Sequence, residues 1–307
     1  MNDRFAIALD VGGMSIKSAI VSESGKIVNG SIERNPVDSK GSFDQIIDSF
    51  LKIFRRAFQL AEEKRLKITG IGIGMPGPFD YENGICLIEG VDKYEAIYGI
   101  NLRDEFRTRL ELKSNFPILF ENDAWAFVRG EAWQGAAWGF NRIIGVTLGT
   151  GMGSGFLADD EIIEEGPGIP ALAWIGGRKY KSGILDDRIS SRGIIETYQK
   201  LHQRGENNLT VKQIAERAEA GDKHALKTFE ETGAIMGHML IWHAQQFQAD
   251  CIIVGGQISK SYQLFGPALQ QVFINEKLTT VIKQAENIEN SAMLGACRFL
   301  FKRIENK

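Results

Sequence analysis

The chain has 307 residues, enough for two domains at roughly 150 residues per domain, and this length excludes a miniprotein held together by disulfides or metals. Its 39 acidic and 36 basic residues nearly balance, so charge gives no indication of a nucleic-acid or membrane partner. The three cysteines are widely spaced, which predicts a reducing compartment. The sequence shows no apolar signal core and no apolar run of the roughly 18 residues that a membrane span needs, so we predict a cytoplasmic location.

The first half of the chain predicts a strand meander followed by alternating helices and strands. The apolar run from Phe5 to Asp10 predicts a buried strand that enters a tight turn at Gly12 and Gly13. Apolar residues at a helical period predict a long helix over 43–65. The other predicted elements are strands at 15–21, 27–32, 68–73 and 118–120 and helices at 102–112 and 123–138.

The second half repeats the opening pattern about 140 residues later. A predicted strand at 143–148 runs into the glycine-rich run 149–155, and an extended pattern resumes at 156–158. The repeated strand, glycine turn and strand indicate a duplicated core. The remaining predicted elements are helices near 188–204, 211–219, 222–248 and 291–303 and a strand at 251–254.

The two glycine-rich turns are the strongest indication of a ligand. The chain lacks the P-loop pattern, and the run 149–155 fails the dinucleotide-binding pattern both in its spacing and in the strand that comes after it. No serine lies in G-x-S-x-G, which disfavours acyl hydrolysis. Successive backbone N–H groups at a glycine turn can bind phosphate, and two such turns could enclose a polyphosphate. The alternative for either turn alone is a purely structural role.

Five segments in the same order resemble the motifs of the ROK sugar kinases, within the actin, Hsp70 and hexokinase superfamily. They are a first phosphate motif at Asp10–Lys17, a connecting segment at Ile71–Pro78, a sugar and catalytic segment at Glu121–Glu131, a second phosphate motif at Leu148–Gly155 and an adenosine motif at Ile253–Ser259. The resemblance implies an α/β, two-domain actin-like ATPase fold, a duplicated ribonuclease H-like architecture with an interdomain cleft. Its implied domains are 1–121 with 291–307, and 122–290.

The same resemblance implies the roles of individual residues. Asp123 would accept the proton of the sugar hydroxyl, and its alternative is an ordinary first-turn or capping acid. Asp10 would organise the Mg²⁺ of an ATP complex through water. The implied sugar contacts are Asn122, Gly77 and Asp92, although Asp92 could equally lie in a solvated loop. The implied nucleotide contacts are Asp10, Gly12, Gly13, Lys17, Gly149, Thr150, Gly151, Gly255 and Gly256.

Two departures from the family pattern bear on activity. Met14 stands where the family has a threonine that can hydrogen-bond phosphate, and a thioether is a weak acceptor. Residues 166–195 contain no Glu, His or Cys, so the Glu-x-x-His sugar contact and the zinc loop of the family are missing and we predict no zinc. The stretch 183–190 still resembles the family segment directly after that loop, which indicates a substituted segment rather than a deletion.

The sequence therefore predicts a kinase that transfers a phosphoryl group from ATP to a hydroxyl of a hexose or amino-hexose. The sugar stays open among glucose, fructose, N-acetylmannosamine and an amino-sugar, and polyphosphate remains an alternative donor. The resemblance also implies a homodimer. The alternative from another class is a non-catalytic, sugar-sensing protein of the same fold. A DNA-binding repressor is disfavoured, because the first motif at Asp10 leaves no room before it for a winged helix.

Overall fold

The computed structural model describes residues 4–203 and 205–305, and it divides into two compact units. The first unit runs to Gln134 and includes the C-terminal segment from Asn290, and the second runs from Gly135 to Glu289. Each unit contains one five-stranded sheet.

The elements of the first unit have the predicted order. They are β1 (Arg4–Val11), β2 (Ser15–Ser22), β3 (Glu33–Pro36), α1 (Phe43–Glu63), β4 (Lys67–Met75), β5 (Phe79–Asp80), β6 (Ile85–Cys86), α2 (Leu102–Arg109), β7 (Ile118–Asn122), α3 (Asp123–Gln134) and the C-terminal helix Ser291–Glu305. The sheet has the order β3-β2-β1-β4-β7, in which β1 and β2 form an antiparallel hairpin and β4 and β7 run parallel to β1.

The sheet of the first unit is buried on both faces. Alternate residues of β1 point to opposite faces, as the period of a strand requires. Ile7 and Leu9 belong to a core cluster with apolar residues of α1 and α2, whereas Ala6 and Ala8 pack with the C-terminal helix. Because both faces of β1 are buried, its central residues form a continuous apolar run in the sequence.

The boundary between the units lies after α3, whereas the sequence analysis placed it before this helix. Helix α3 packs closely on the C-terminal helix, and glycines allow the approach. A Cβ at Gly130 would lie 1.9 Å from the carbonyl oxygen of Ser291, and one at Gly295 would lie 1.8 Å from that of Ala126. Because α3 shares this contact, it belongs to the first unit.

The second unit repeats the sheet of the first. Its elements are β8 (Arg142–Leu148), β9 (Met152–Ala158), β10 (Glu161–Ile162), β11 (Lys179–Tyr180), β12 (Gly183–Ile184), α4 (Asp186–Ile189), α5 (Ser191–His202), α6 (Val211–Glu219), α7 (Lys223–Phe247), β13 (Cys251–Gly255), α8 (Tyr262–Asn275) and β14 (Val281–Gln284), and the C-terminal helix of the first unit is α9. The order β10-β9-β8-β13-β14 again places an antiparallel hairpin beside two parallel strands. The predicted duplication is therefore confirmed.

Two sequence predictions differ from the structure, and further elements were not predicted at all. No regular strand forms at 27–32. Ile27 makes only an isolated bridge to Val21, and the next strand, β3, begins at Glu33. The predicted glycine turn over 149–155 is shorter, because β9 already begins at Met152. Helix α8 and strand β14 were not predicted. Within the described part of the chain, no helix has both the length and the apolar character to cross a membrane.

Candidate active site

The first glycine turn joins β1 to β2 in the first unit. The amide of Gly12 donates to the carbonyl of Ser15 at 3.0 Å, which closes the hairpin. Asp10 is half-buried, opposite Lys17 on β2 and beside Gly74 on β4. The structure therefore brings together the four first-unit residues predicted to contact nucleotide phosphates, namely Asp10, Gly12, Gly13 and Lys17.

Two side chains from distant parts of the chain hold the carbonyls of this turn. The Tyr94 hydroxyl donates to the Gly12 carbonyl at 2.7 Å, and the Ser39 hydroxyl donates to the Gly13 carbonyl at 2.6 Å. With both carbonyls bound, the orientation of the peptide groups in the turn is fixed. The sequence analysis missed both contacts, and no local pattern could have predicted partners 82 and 26 residues away.

Met14 lies in the loop of the same hairpin with its side chain 84% exposed. Its backbone is bound nevertheless, since its carbonyl accepts a hydrogen bond from the amide of Val37 at 3.1 Å. A methionine at this position offers no hydroxyl to a phosphate, and its thioether is only a weak acceptor.

Asn122 and Asp123 form the junction where β7 becomes α3. The Asn122 side-chain oxygen accepts from the amides of Ala124 at 3.0 Å and Trp125 at 3.3 Å, so this residue caps the helix. The Asp123 carboxylate accepts from the Ala124 amide at 2.9 Å. Burial raises the pKa of Asp123, while that amide and the positive charge of Lys93 oppose the rise. A carboxylate withdrawn from water, with a raised pKa, suits a proton acceptor.

Tyr81 connects Asn122 to the segment before it. The Asn122 amide donates to the Tyr81 hydroxyl at 3.0 Å, and that hydroxyl donates to the Met75 carbonyl at 3.1 Å. Gly77 adjoins this group, because a Cβ there would lie 3.2 Å from the Tyr81 hydroxyl. One of the two Asn122 amide protons is used by Tyr81 and the other is available for a sugar oxygen. Gly77, Asn122 and Asp123 thus lie together in the structure.

Asp92, the third residue predicted to contact the sugar, lies in an exposed loop. Its side chain is 79% exposed and forms an ion pair with Lys40. The next residue, Lys93, is the member of this loop that contacts the first glycine turn: its Cδ lies 3.7 Å from the position a Cβ on Gly13 would occupy. Lys93 was not among the predicted site residues.

The charged residues around Asp123 in the same motif have structural partners. Arg129 is 1% exposed, and its guanidinium donates to the Glu121 carboxylate at 2.8 Å. Glu131 is buried and accepts a hydrogen bond from the hydroxyl of Ser291. These contacts fix α3 against β7 and α9, and they leave Asp123 as the acid of the motif suited to chemistry.

The second glycine turn, residues 149–151, joins β8 to β9 in the second unit. The Gly149 amide donates to the Gly151 carbonyl at 2.9 Å, and the Gly149 carbonyl accepts from both the amide (2.9 Å) and the hydroxyl (2.7 Å) of Ser191. The amide of Met152 donates to the Asp186 carboxylate, whose pKa is raised by burial. Thr150 and Gly151 are exposed at the tip. Asp186 and Ser191 were not predicted.

The adenosine-motif glycines lie against this turn. Gly255 on β13 pairs with Thr147 on β8. Gly256 has a φ of +80°, and a Cβ there would lie 2.3 Å from the Leu148 carbonyl oxygen. Glycine is therefore required at 256 both by conformation and by space. The predicted nucleotide residues of the second unit thus form one group.

The donor set around Asp10 fits a magnesium ion. Mg²⁺ binds through one or two carboxylates together with water and phosphate oxygens, so a single half-buried carboxylate beside a glycine turn that could bind phosphate is sufficient. Among the described residues, no group of three or more His, Cys, Asp or Glu side chains could hold a metal by itself. A metal at Asp10 would therefore need phosphate and water oxygens to complete its shell.

The 166–190 segment, which stands where the family has its zinc loop, is attached to β9. The Ser154 hydroxyl donates to the Ala173 carbonyl at 2.6 Å and accepts from the Ile175 amide at 2.8 Å. The Trp174 indole donates to the Met152 carbonyl at 2.6 Å. Side chains on both β9 and the segment make these contacts with the facing backbone, and together they attach the segment to β9.

The same segment is also attached to α7. Arg178 lies over the Trp242 ring at 4.9 Å, and its guanidinium donates to His243 Nε2 at 3.0 Å. His243 Nδ1 contacts the Gly168 carbonyl, which can only accept, so the proton resides on Nδ1. Burial lowers the pKa of His243 to about 4, so the ring is neutral at neutral pH.

Comparison with known proteins agrees with this architecture. The ROK family model matches residues 6–172 and 180–303, and the unmatched residues between them lie inside the 166–190 segment. The glucokinase of Thermotoga maritima is 27% identical over 97% of this chain and 98% of its own length. The xylose repressor of Caldicellulosiruptor bescii is 25% identical over 74% of this chain and 61% of its own.

A solved structure has the same fold. The ROK family glucokinase from Streptomyces griseus, crystallised with glucose and AMPPNP, superimposes with a TM-score of 0.77 over 97% of this chain and 99% of its own, at 22% identity. The two-domain actin-like fold is thereby confirmed. With a family model covering almost all of its length, the chain belongs to the ROK family.

Proposed function

We propose that the protein is an ATP-dependent sugar kinase that phosphorylates a hydroxyl of a hexose or amino-hexose. The observation that carries this proposal is the half-buried Asp123 carboxylate, which adjoins Asn122 and Gly77 in the unit that also bears the first glycine turn. A sugar alcohol needs a positioned proton acceptor, and phosphoryl transfer otherwise depends on alignment and on neutralisation of charge.

The proposed reaction is the transfer of the γ-phosphoryl group of ATP to a sugar hydroxyl. The sugar oxygen forms a bond to the γ-phosphorus, the bond from that phosphorus to the bridging oxygen breaks, and ADP leaves. The hydroxyl proton passes to a carboxylate oxygen of Asp123. Asn122 orients the sugar through its second amide proton, and the turn amides that do not close the turns, those of Gly13, Thr150 and Gly151, bind phosphate oxygens. Mg²⁺ at Asp10 would neutralise phosphate charge.

The glucokinase relatives support a hexose acceptor, and the AMPPNP complex of the Streptomyces griseus enzyme supports ATP as donor. The missing Glu-x-x-His contact leaves the choice of sugar open. Activity assays with glucose, fructose, N-acetylmannosamine and amino-sugars, each with ATP or polyphosphate, identify the sugar and the donor.

Family membership supports a homodimer, and light scattering would measure the oligomeric state. The cytoplasmic location remains a prediction.

The central test is Asp123→Asn. Asparagine keeps the shape of the side chain and cannot accept the proton, so we expect kcat to fall by roughly 10² to 10⁴ while sugar and nucleotide still bind. The matched control is Asp104→Asn, which removes an exposed first-turn carboxylate of α2 in the same unit and should leave kcat unchanged. ADP release gives kcat, and a thermal melt reports folding.

The result that would overturn the assignment is Asp123→Asn activity within about threefold of the parent, because a positioned base is worth far more than that. A parent that binds sugar and nucleotide but releases no ADP with any sugar would overturn the kinase proposal as a whole. That outcome would favour a sugar sensor, with the substituted stretch 166–195 as its cause.

A further inference from the structure

The loop 91–94 is bent so that neighbouring residues point in opposite directions. Asp92 and Tyr94 both have left-handed backbone conformations, with φ of +56° and +58°. Such conformations are strained for non-glycine residues and persist where the surrounding structure imposes them. The bend turns Asp92 outward to Lys40 and buries Tyr94 beneath Gly12, and the residue between them is Lys93.

Lys93 lies beside the first glycine turn, and its charge acts on Asp123. Its methylene chain packs over Gly13, where Cδ is 3.7 Å from the position of an added Cβ. The side chain is half-buried, and its positive charge acts on the Asp123 carboxylate. Among the residues that the structure describes, no carboxylate lies within ion-pair distance of the Lys93 ammonium, in contrast to that of Lys40.

A lysine that packs on a glycine turn through its methylene chain and has no carboxylate of the described residues within ion-pair distance can offer its ammonium N–H groups to an anionic ligand. Lysine is a phosphate ligand with three donors, and it acts on a transferring phosphoryl group as a point charge. The position beside Gly13 is also beside Met14, the residue that lacks the family's phosphate-binding hydroxyl. The thioether of Met14 cannot donate a hydrogen bond, so the turn lacks a side-chain donor at this position.

We propose that Lys93 binds the phosphoryl group as it passes from the nucleotide to the sugar and supplies the donor that Met14 lacks. This inference rests on the proposed kinase function and adds a residue to its site. Lys93 makes no covalent bond in the reaction: its N–H groups donate to the equatorial oxygens of the phosphoryl group, while the sugar proton still goes to Asp123.

The test compares Lys93→Met and Lys93→Arg with Lys113→Met, which removes an exposed lysine from another loop of the same unit. We expect Lys93→Met to lower kcat/KM for ATP by about 10²-fold, the loss typical of one removed transition-state donor. Lys93→Arg should recover part of this loss, and Lys113→Met should stay within twofold of the parent. The acidic limb of the pH–activity profile reports the pKa of Asp123, which the charge of Lys93 lowers. Lys93→Met should therefore raise this pKa and move the limb to higher pH. Tyr81 also interacts electrostatically with Asp123.

A binding measurement separates this role from a structural one. By calorimetry, Lys93→Met should weaken AMPPNP and leave adenosine unchanged, because adenosine has no phosphate. Unchanged kcat/KM and unchanged AMPPNP affinity would overturn the proposal, as would an equal loss of adenosine affinity, which indicates damage to the fold. If the parent phosphorylates no sugar, the kinase proposal fails, yet the AMPPNP and adenosine affinities still decide whether Lys93 binds phosphate.

Discussion

At the scale of single residues, Asn122 and Asp123 show how one junction separates a structural task from a chemical one. A helix N-terminus leaves backbone amides that need acceptors, and an Asx residue usually supplies them. Here Asn122 accepts from the amides of Ala124 and Trp125. Because the cap is provided by the preceding residue, the carboxylate of Asp123 does not have to serve as one, and one of its oxygens is left for a substrate proton.

A second residue-scale prediction concerns Gly256. In Gly256→Ala the new methyl group would meet the Leu148 carbonyl at 2.3 Å, directly before the second glycine turn, in addition to the strain of a positive φ. We expect AMPPNP affinity to fall at least tenfold, or about 1.4 kcal/mol. The matched control is Gly139→Ala, with a φ of +87° and open space around it. Calorimetry on both variants is the measurement, and equal affinities would show that the contact at Leu148 does not matter.

At the scale of elements, the 166–190 segment shows a loop ordered by side-chain contacts on two sides. On β9 it is held through Ser154, and on α7 through His243 and Trp242. Gly168 is essential to the second attachment, since a Cβ there would lie 2.7 Å from the Phe247 amide nitrogen. The close approach of loop and helix places the Gly168 carbonyl where only a neutral histidine can donate to it and still accept from Arg178.

This attachment predicts an acid sensitivity. The pKa of His243 is about 4 in the folded chain and 6.5 in the unfolded one, so between these values the unfolded state binds more protons. The free energy of unfolding should therefore fall as the pH drops from 6.5 to 4, by at most about 3 kcal/mol from this group. His243→Gln keeps one donor and one acceptor but does not titrate. Urea unfolding at several pH values should show a smaller acid loss in this variant, and parallel profiles would contradict the argument.

Elements set by local pattern could be predicted, and elements set by tertiary contact could not. Helix α1 results from its apolar period and from Ser42, which forms a capping box with Gln45. Helix α8 was missed because Gly266 and Pro267 interrupt it. The helix forms nevertheless against α7, where a Cβ at Gly233 would lie 2.1 Å from the Phe265 carbonyl oxygen, and no sequence pattern reports such a contact.

The same distinction holds for the candidate site. The glycine turns, Asp10, Asn122 and Asp123 carry their signal in short motifs, and the structure groups them within their units. Lys93 and Ser39 act on the first turn from far along the chain, and Asp186 and Ser191 act on the second. These supporting residues have no motif, because their roles depend on where the sheets place the turns.

At the scale of the whole molecule, duplication gives each unit one hairpin with a glycine turn at the same place in the same strand order. The two copies have diverged in the residues that accompany the turn. The first unit adds Asp10 and Asp123, and the second adds the adenosine-motif glycines 255 and 256. Under the proposed function, the first set would bind phosphates and the second set would bind the nucleoside.

This division predicts a difference in hydrogen exchange between two ligands. Adenosine should slow exchange at the end of β8 and at Gly255–Gly256, and leave the first glycine turn unchanged. AMPPNP with Mg²⁺ should slow exchange at both turns, and at one hundred times its Kd it should stabilise the regions that it contacts by about 2.7 kcal/mol. Peptides that cover residues 9–20 and 147–156 report the two turns by mass spectrometry, and a peptide from α6 (Val211–Glu219), which holds none of the candidate nucleotide residues, serves as the internal control. Slowed exchange at the second turn alone, with AMPPNP bound, would show that the first turn does not take part in phosphate binding.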